Sequence, residues 1–540
     1  MKKICTTFIC LFTLCGTFIF AQEAKIELPE LSTEVSGIDV VAENDSLPDF
    51  KMVIDLPPSS EDIVPVLPEE NIPENKYEPS MLQEPAKMHG DGLIGGGYPG
   101  VLIGEFNLIQ VDEQNPLELN FLHNSAYGYA GKSLLSGYSD RNTQINLDKT
   151  FTLNTIKLDL QGAFKTLGNG LQSQQEYFSA INQNQLCGNI TFEWEPVKTF
   201  TIGTNVNAVS YNRYLDATKN AESYSSIPRY ETELNLFDLN PTLFFRWEDY
   251  GFTVGLNGSY TLNFESNKQF ETLHRGFVQT AFGWKKDIFN VKADVGIVFG
   301  NQMEPNKFII PFTVGVYLNM PSYFSTRNII VSLYGGLDSK GTSIISLETK
   351  KKFSTFSCAP LEQSDWFGAF ELMLPIKSSF TGNAFIEYRH TAFDNGIWDV
   401  DYNKKLASGL YGYSKVSRQS LKTVFDVSYK YKIFSIGGKW KSNWFYVPSL
   451  ETAQAVGVNL AFQDENALWG TELSVDFPFV YAIEYVPIVD FEAFVTISKS
   501  IRIMLNANDI IKLVSGTTRL YAGNYVERGG SATLSVKYIF

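Results

Sequence analysis

From about residue 98 to Phe540 the chain alternates apolar and polar residues with a period of two. In the run Ile156 to Lys165, Ile156, Leu158, Leu160 and Phe164 fall on one face, and Lys157, Asp159, Gln161 and Lys165 on the other. That spacing predicts a β-strand with one apolar and one polar face. The same alternation recurs from Phe425 to Ile433. In Glu472 to Phe477 it sets Glu472, Ser474 and Asp476 against Leu473, Val475 and Phe477. At the C-terminus, Thr533, Ser535 and Lys537 alternate with Leu534, Val536, Tyr538 and Phe540.

A soluble sandwich would alternate too, so the choice rests on three further features. Lys198 to Tyr214 and Arg229 to Asp249 read as strands well beyond the five or six residues usual in globular sheets. Short polar turns, at Glu195-Pro196-Val197, Glu248 to Gly251, Lys285-Lys286-Asp287 and Pro375-Ile376-Lys377, alternate with longer loops at 168–183, 339–364 and 393–418. Aromatics sit beside the turns: Trp194, Trp247, Trp284, Phe434 and Trp469. Together these features describe a transmembrane, antiparallel, up-and-down β-barrel. In lipid every backbone N–H and C=O needs a partner, so the sheet has to close on itself. At about 22 residues per strand and connection, the chain holds roughly twenty strands, within a range of 16–22.

The N-terminal part follows different rules. Lys2 and Lys3 precede an apolar stretch from Ile4 to Phe20, and Ile19-Phe20-Ala21 precedes Gln22, as in a cleaved secretory signal peptide over residues 1–21. Residues 22–97 read as an acidic, Pro-rich periplasmic tail. Residues 23–90 contain sixteen Asp/Glu against four Lys, and nine of the 22 prolines, with only Phe50 and Tyr77 as aromatics. Such a segment cannot bury enough apolar surface to offset chain entropy, so a disordered tail is expected there. It ends in Gly90-Asp91-Gly92-Leu93-Ile94-Gly95, which matches G-x-G-x-x-G. With neither a buried strand before it nor a helix after it, the string reads as a flexible lead-in to the barrel, expected over residues 98–540.

Charge and composition narrow the function. The formal net charge is −15, of which residues 23–90 carry −12, so neither part of the chain is basic enough to bind nucleic acid. Four His and two Cys beyond the leader exclude a multi-zinc protein and a disulfide scaffold, and no cofactor is implied. Cys187 and Cys358 leave open either one bridge or two free thiols. His123-Asn124-Ser125 puts a His and a Ser on one strand face, but no orienting carboxylate or oxyanion donor lies nearby, so a polar patch of barrel wall is expected rather than an enzyme. The expected pore-lining residues are Lys157, Asp159, Gln161, Lys165, Glu472, Asp476 and Lys537.

The last forty residues resemble the end of TonB-dependent receptor barrels. Met504 to Ile511 is similar to their penultimate strand. Tyr521-Ala522-Gly523 and Glu527-Arg528-Gly529-Gly530 resemble their last loop. Val536, Tyr538 and Phe540 look like the aromatic-ended signal read by the barrel assembly machinery. The resemblance implies an outer-membrane protein with that machinery, outer-membrane lipid and a small solute as partners. A partner of the acidic tail in the periplasm also stays open. One departure matters: no recognisable plug domain precedes the barrel, and Glu34 to Val41 only vaguely resembles the box that meets the energy-transducing partner. A pore or transporter for small solutes is therefore the leading expectation. A blocked anchoring or interaction protein and an energised nutrient receptor are the alternatives.

Overall fold

A computed structural model describes residues 88–540 except 113–114, 267–269, 302, 304–306, 323–326, 378, 450, 480–485 and 517–519. The expected signal peptide, most of the expected tail and the segment Glu34 to Val41 lie outside the described residues. Twenty-two antiparallel strands, each hydrogen-bonded to its neighbours in the chain, form one sheet. The two residues Phe308–Ile309 are a detached start of the strand Phe312–Met320, separated from it by Ile310-Pro311. The sheet closes where the first strand, Met88–Tyr98, pairs with the last, Ser531–Ile539, with Asp91 opposite Ile539 and Tyr98 opposite Ala532. Closure leaves no edge strand, as lipid requires.

Exposure along the last strand shows which face is which. Leu534 is 58% exposed and Val536 44%, whereas Thr533 and Ser535 are each 2% exposed. Apolar side chains outside and polar ones inside are the reverse of a soluble core. The same inversion runs through the twenty-residue strand Phe178–Val197, where Leu186, Ile190 and Trp194 are exposed and Gln183 and Cys187 are buried.

The two ends of the barrel differ. At one end the connections are tight, for example 154–155, 198–199, 250–251, 287–288, 432–433 and 499–500. At the turn 250–251, Tyr250 has φ 49° and Gly251 φ 77°, the left-handed pair that lets two residues join twisted strands. A Cβ at Gly251 would also lie 2.3 Å from the Lys285 carbonyl oxygen. Trp194, Trp247, Trp284, Phe434 and Trp469 all border this end, as does the terminal Phe540. The long connections 128–138, 171–177, 218–232, 341–362, 392–418 and 509–530 all lie at the other end.

Three boundaries differ from the sequence reading. The first described strand already runs from Met88, ten residues before the expected boundary at 98, and the glycine string 90–95 is regular strand rather than a flexible lead-in. Its glycines obscure the period because they supply no side chain to either face. Arg229–Thr232 forms one helical turn after Pro228, so the strand begins only at Glu233. The loop expected over 168–183 shrinks to 171–177, because both flanking strands continue past the rim.

Candidate functional site: a polar wall beneath a packed cap

The wall comes first, because its strands position everything above it. Lys157 Nζ lies 2.8 Å from Asp159 Oδ2, and Asp159 Oδ1 accepts from the Thr150 hydroxyl at 2.6 Å. Gln161 donates to Asp148 at 3.0 Å and accepts from Asn189 at 3.0 Å, and Asn189 accepts from Asn205 at 2.6 Å. Lys157, Asp159 and Gln161 thus belong to a polar ladder crossing four neighbouring strands. Lys165 shares their face, opposite Gln144 and Gln185. Lys537 pairs with Asp91 at 2.9 Å across the closing seam. Glu472 accepts from Asn459 at 2.5 Å and stands opposite Glu492, and Asp476 stands opposite Gly457. The structure therefore groups the first four residues and places Glu472, Asp476 and Lys537 in two separate stretches of wall.

Tyr538 and Phe540, expected to belong to an assembly signal, lie at the same seam. Tyr538 and Phe540 stack at 5.9 Å, and Phe540 reaches Phe106 at 6.3 Å. Phe540 also exchanges two backbone hydrogen bonds of 2.9 Å with Gly90.

Above the wall, the long connections turn over the mouth and pack on one another. The helix Ile344–Lys350 begins at Ser343, whose hydroxyl accepts from the Ser346 N–H. Its buried face presents Ile344, Ile345 and Glu348. Across from it stand the ribbon Ile397–Lys405 with Tyr411–Val416 and the short pair Leu520–Ala522 with Tyr525–Val526. Phe353 stacks on Tyr525 at 3.9 Å, and Phe356 on Tyr413 at 4.0 Å. The resulting apolar core joins Leu171, Ile181, Tyr211 and Leu234 from the barrel rim to Leu410, Tyr411 and Tyr525 from the loops.

Buried charges pin this cap to the wall. Arg213 Nε meets Glu348 Oε2 at 3.0 Å with both side chains fully buried. The same Glu348 accepts from the Tyr211 hydroxyl at 3.0 Å, the Thr355 hydroxyl at 2.9 Å and the Phe356 N–H at 3.2 Å. Arg213 also donates to Thr355 and to the Glu231 carbonyl. A second buried pair joins Arg275 to Glu362 at 2.8 Å, with the Ser339 hydroxyl donating to the carboxylate at 2.6 Å. Burial pushes the Glu362 carboxyl above its ordinary value, and Arg275 pulls it partly back. Burial likewise depresses Lys351, with Asp399 opposing; its ammonium donates to the Ser449 carbonyl. Gln172 bridges the loops 171–177 and 509–530 through the Val526 carbonyl at 2.8 Å and N–H at 2.7 Å.

Sequence reasoning missed this cap. Arg213 does continue the alternation of Asn205, Asn207, Val209 and Tyr211, so its face was readable. Glu348 lies in a loop without a period, and nothing local links it to a residue 135 positions earlier.

The remaining candidates carry no catalytic arrangement. His123 contacts the Ser125 hydroxyl at 3.1 Å and the Thr143 hydroxyl at 2.8 Å, so a hydroxyl stands where a catalytic dyad would need a carboxylate. Cys187 is buried within a strand, not beside a long loop, and Cys358 is exposed; both thiols are free.

No protein-family model matches the chain, and no curated protein matches it in sequence. Its fold does match solved structures. The FrpB iron transporter from Neisseria meningitidis superimposes with a TM-score of 0.61 at 9% identity, covering 84% of this chain and 81% of that one. The copper transporter OprC gives 0.63 at 8% identity, with 84% and 81% covered. A mutant of the ferric enterobactin receptor PfeA from Pseudomonas aeruginosa gives 0.60 at 9% identity, with 84% and 80% covered. The fold is that of TonB-dependent receptor barrels, the family which the C-terminal strands resemble.

Proposed function

We propose that this chain is an outer-membrane transporter for a small solute, exported by a signal peptide over residues 1–21, with a mouth shut by its own loops. The observation that carries this reading is a closed barrel of twenty-two strands with a charged inner wall and a packed cap over one end. A barrel of that width encloses more space than wall side chains fill. Lys157, Asp159, Gln161, Lys165, Glu472, Asp476 and Lys537 line the path, and long loops face outward from the cell while tight turns face the periplasm. Val536, Tyr538 and Phe540 are read by the assembly machinery at that periplasmic end.

The cap favours a gated transporter over a permanently open pore, because its loops pack into one apolar core pinned by the buried pairs Arg213–Glu348 and Arg275–Glu362. A packed cap also favours the energised reading, in which a periplasmic partner engages the acidic tail. The neighbours' names, an iron transporter, a copper transporter and a ferric enterobactin receptor, support transport rather than enzymatic work. Planar-bilayer recording tests the reading. The intact protein should conduct little, and a Glu348→Ala, Glu362→Ala double variant with normal heat-modifiable migration should conduct in long openings. Large, steady conductance from the intact protein would sink the closed-mouth reading.

A further inference from the structure

We infer that the closing seam of the barrel carries a binding site for a short aliphatic carboxylate, independent of whether the transport reading holds. The first strand contributes Gly95 and Gly97 to the inner face, so it sends no side chain inward there. A Cβ at Gly97 would lie 1.9 Å from the Ala532 carbonyl oxygen and one at Gly95 2.5 Å from the Ser535 Cβ, which leaves no room for a larger residue. Beside this bare strip a recess of about 210 Å³ opens, backed by Val101 and Ile103 and edged by Asn124, Asn508 and Ser531. Arg528 reaches into it from the connection before the last strand.

The polar groups of the recess can all donate: the Arg528 guanidinium, the Asn124 and Asn508 carboxamides and the Ser531 and Thr533 hydroxyls. Arg528 Nη1 donates to Asn124 Oδ1 at 2.8 Å, its one hydrogen bond among the described residues. That bond fixes the Asn124 oxygen on the guanidinium and turns its amide N–H groups elsewhere. Asn508 adds a second carboxamide and Ser531 a hydroxyl, and no Asp or Glu lines the recess. The guanidinium is half-buried with no carboxylate lining the recess, and its planar fork matches a carboxylate with two parallel hydrogen bonds. Partial burial lowers the Arg528 proton affinity, and Asp140 and Tyr129, which do not line the recess, oppose that shift. Val101 and Ile103 offer an apolar surface to a short hydrocarbon portion. The volume falls below the roughly 300 Å³ at which ordinary ligand pockets begin, so the acid is small.

The test uses the full-length protein, folded in detergent and checked by heat-modifiable migration, with isobutyrate, isobutyramide and inorganic phosphate as probes in calorimetry. Isobutyrate should bind at least tenfold more tightly than the neutral amide and more tightly than phosphate. Arg528→Gln should weaken isobutyrate at least tenfold, and Arg528→Lys less, since Lys keeps the charge and loses the fork. Asn508→Leu touches only the rim of the recess and should weaken binding several-fold, so it serves if the Arg528 variants fail to fold. Isobutyrate binding that is absent, is matched by phosphate or the amide, or is unchanged in the folded Arg528→Gln or Asn508→Leu variants would overturn the site.

Discussion

The wall and the cap are built from one chain by opposite means. In the wall each strand bonds to the next along the chain, so Lys157 finds Asp159 two residues away and Gln161 finds Asp148 thirteen away. In the cap, partners are brought in from across the sequence: Gln172 to Val526, Arg213 to Glu348, Arg275 to Glu362. The wall is over-determined, because every strand is held on both sides and its register is set by which face meets lipid. The cap depends on a few buried pairs, and losing one partner leaves a charge with no compensation. The lower-stability part of such a molecule is where a gate belongs.

The sharpest way to break that contrast is Glu348→Ala. It strands the fully buried Arg213 and removes the acceptor for Tyr211, Thr355 and the Phe356 N–H. Breaking a buried pair from one side costs about 3–5 kcal/mol. Limited proteolysis should cut loops 341–362 and 392–418 much faster, while heat-modifiable migration of the barrel stays normal. Loss of the barrel together with the cap would show that the two regions are not separable.

A second substitution attacks the wall at its one non-sequential joint. Tyr538→Ser with Phe540→Ser removes the stack at the closing seam and the expected assembly signal. Outer-membrane levels should fall several-fold, with material degraded or held in the periplasm. Quantitative blotting of membrane fractions measures this, and a normal yield would contradict it.

Single cysteines sharpen the contrast within the wall. With Cys187 and Cys358 replaced, cysteine at Lys157, Asp159, Gln161, Glu472 or Lys537 should react with a water-soluble thiol reagent at least severalfold faster than cysteine at Leu158, Val475 or Val536. Equal rates would mean that the polar face does not line an aqueous path.

The same contrast explains what the sequence disclosed. Wall strands were legible because lipid on one side and polar groups on the other impose a period of two on residues such as Ile156 to Lys165. Tight turns and Trp194, Trp247 and Trp284 were legible because interface chemistry is local. The first strand was not, since glycines at 90, 92, 95, 96 and 97 erase the pattern. The cap was not either: Glu348 and Glu362 look like ordinary solvated loop carboxylates until the chain folds and buries them against Arg213 and Arg275. Long-range ion pairs leave no mark in a single sequence.

The smallest expected effect separates the two regions by pH. Glu362 is buried, and its carboxyl sits above the ordinary value with Arg275 opposing and Asp338 adding to the rise. A carboxyl whose pKa is higher in the folded cap than in the opened one binds more protons when folded. Its contribution is therefore fully present below the ordinary value of about 4.3 and is lost as pH rises through the folded value. Protection of loop 341–362 in hydrogen exchange should decline over that window in the native protein. In Glu362→Gln, which keeps a hydrogen-bonding partner for Arg275 and cannot ionise, this decline should be flatter, while exchange from the wall strands is the same in both. An identical pH profile for the two proteins would show that Glu362 stays ionised beside Arg275 throughout, making the pair a permanent clasp rather than a pH-sensitive one.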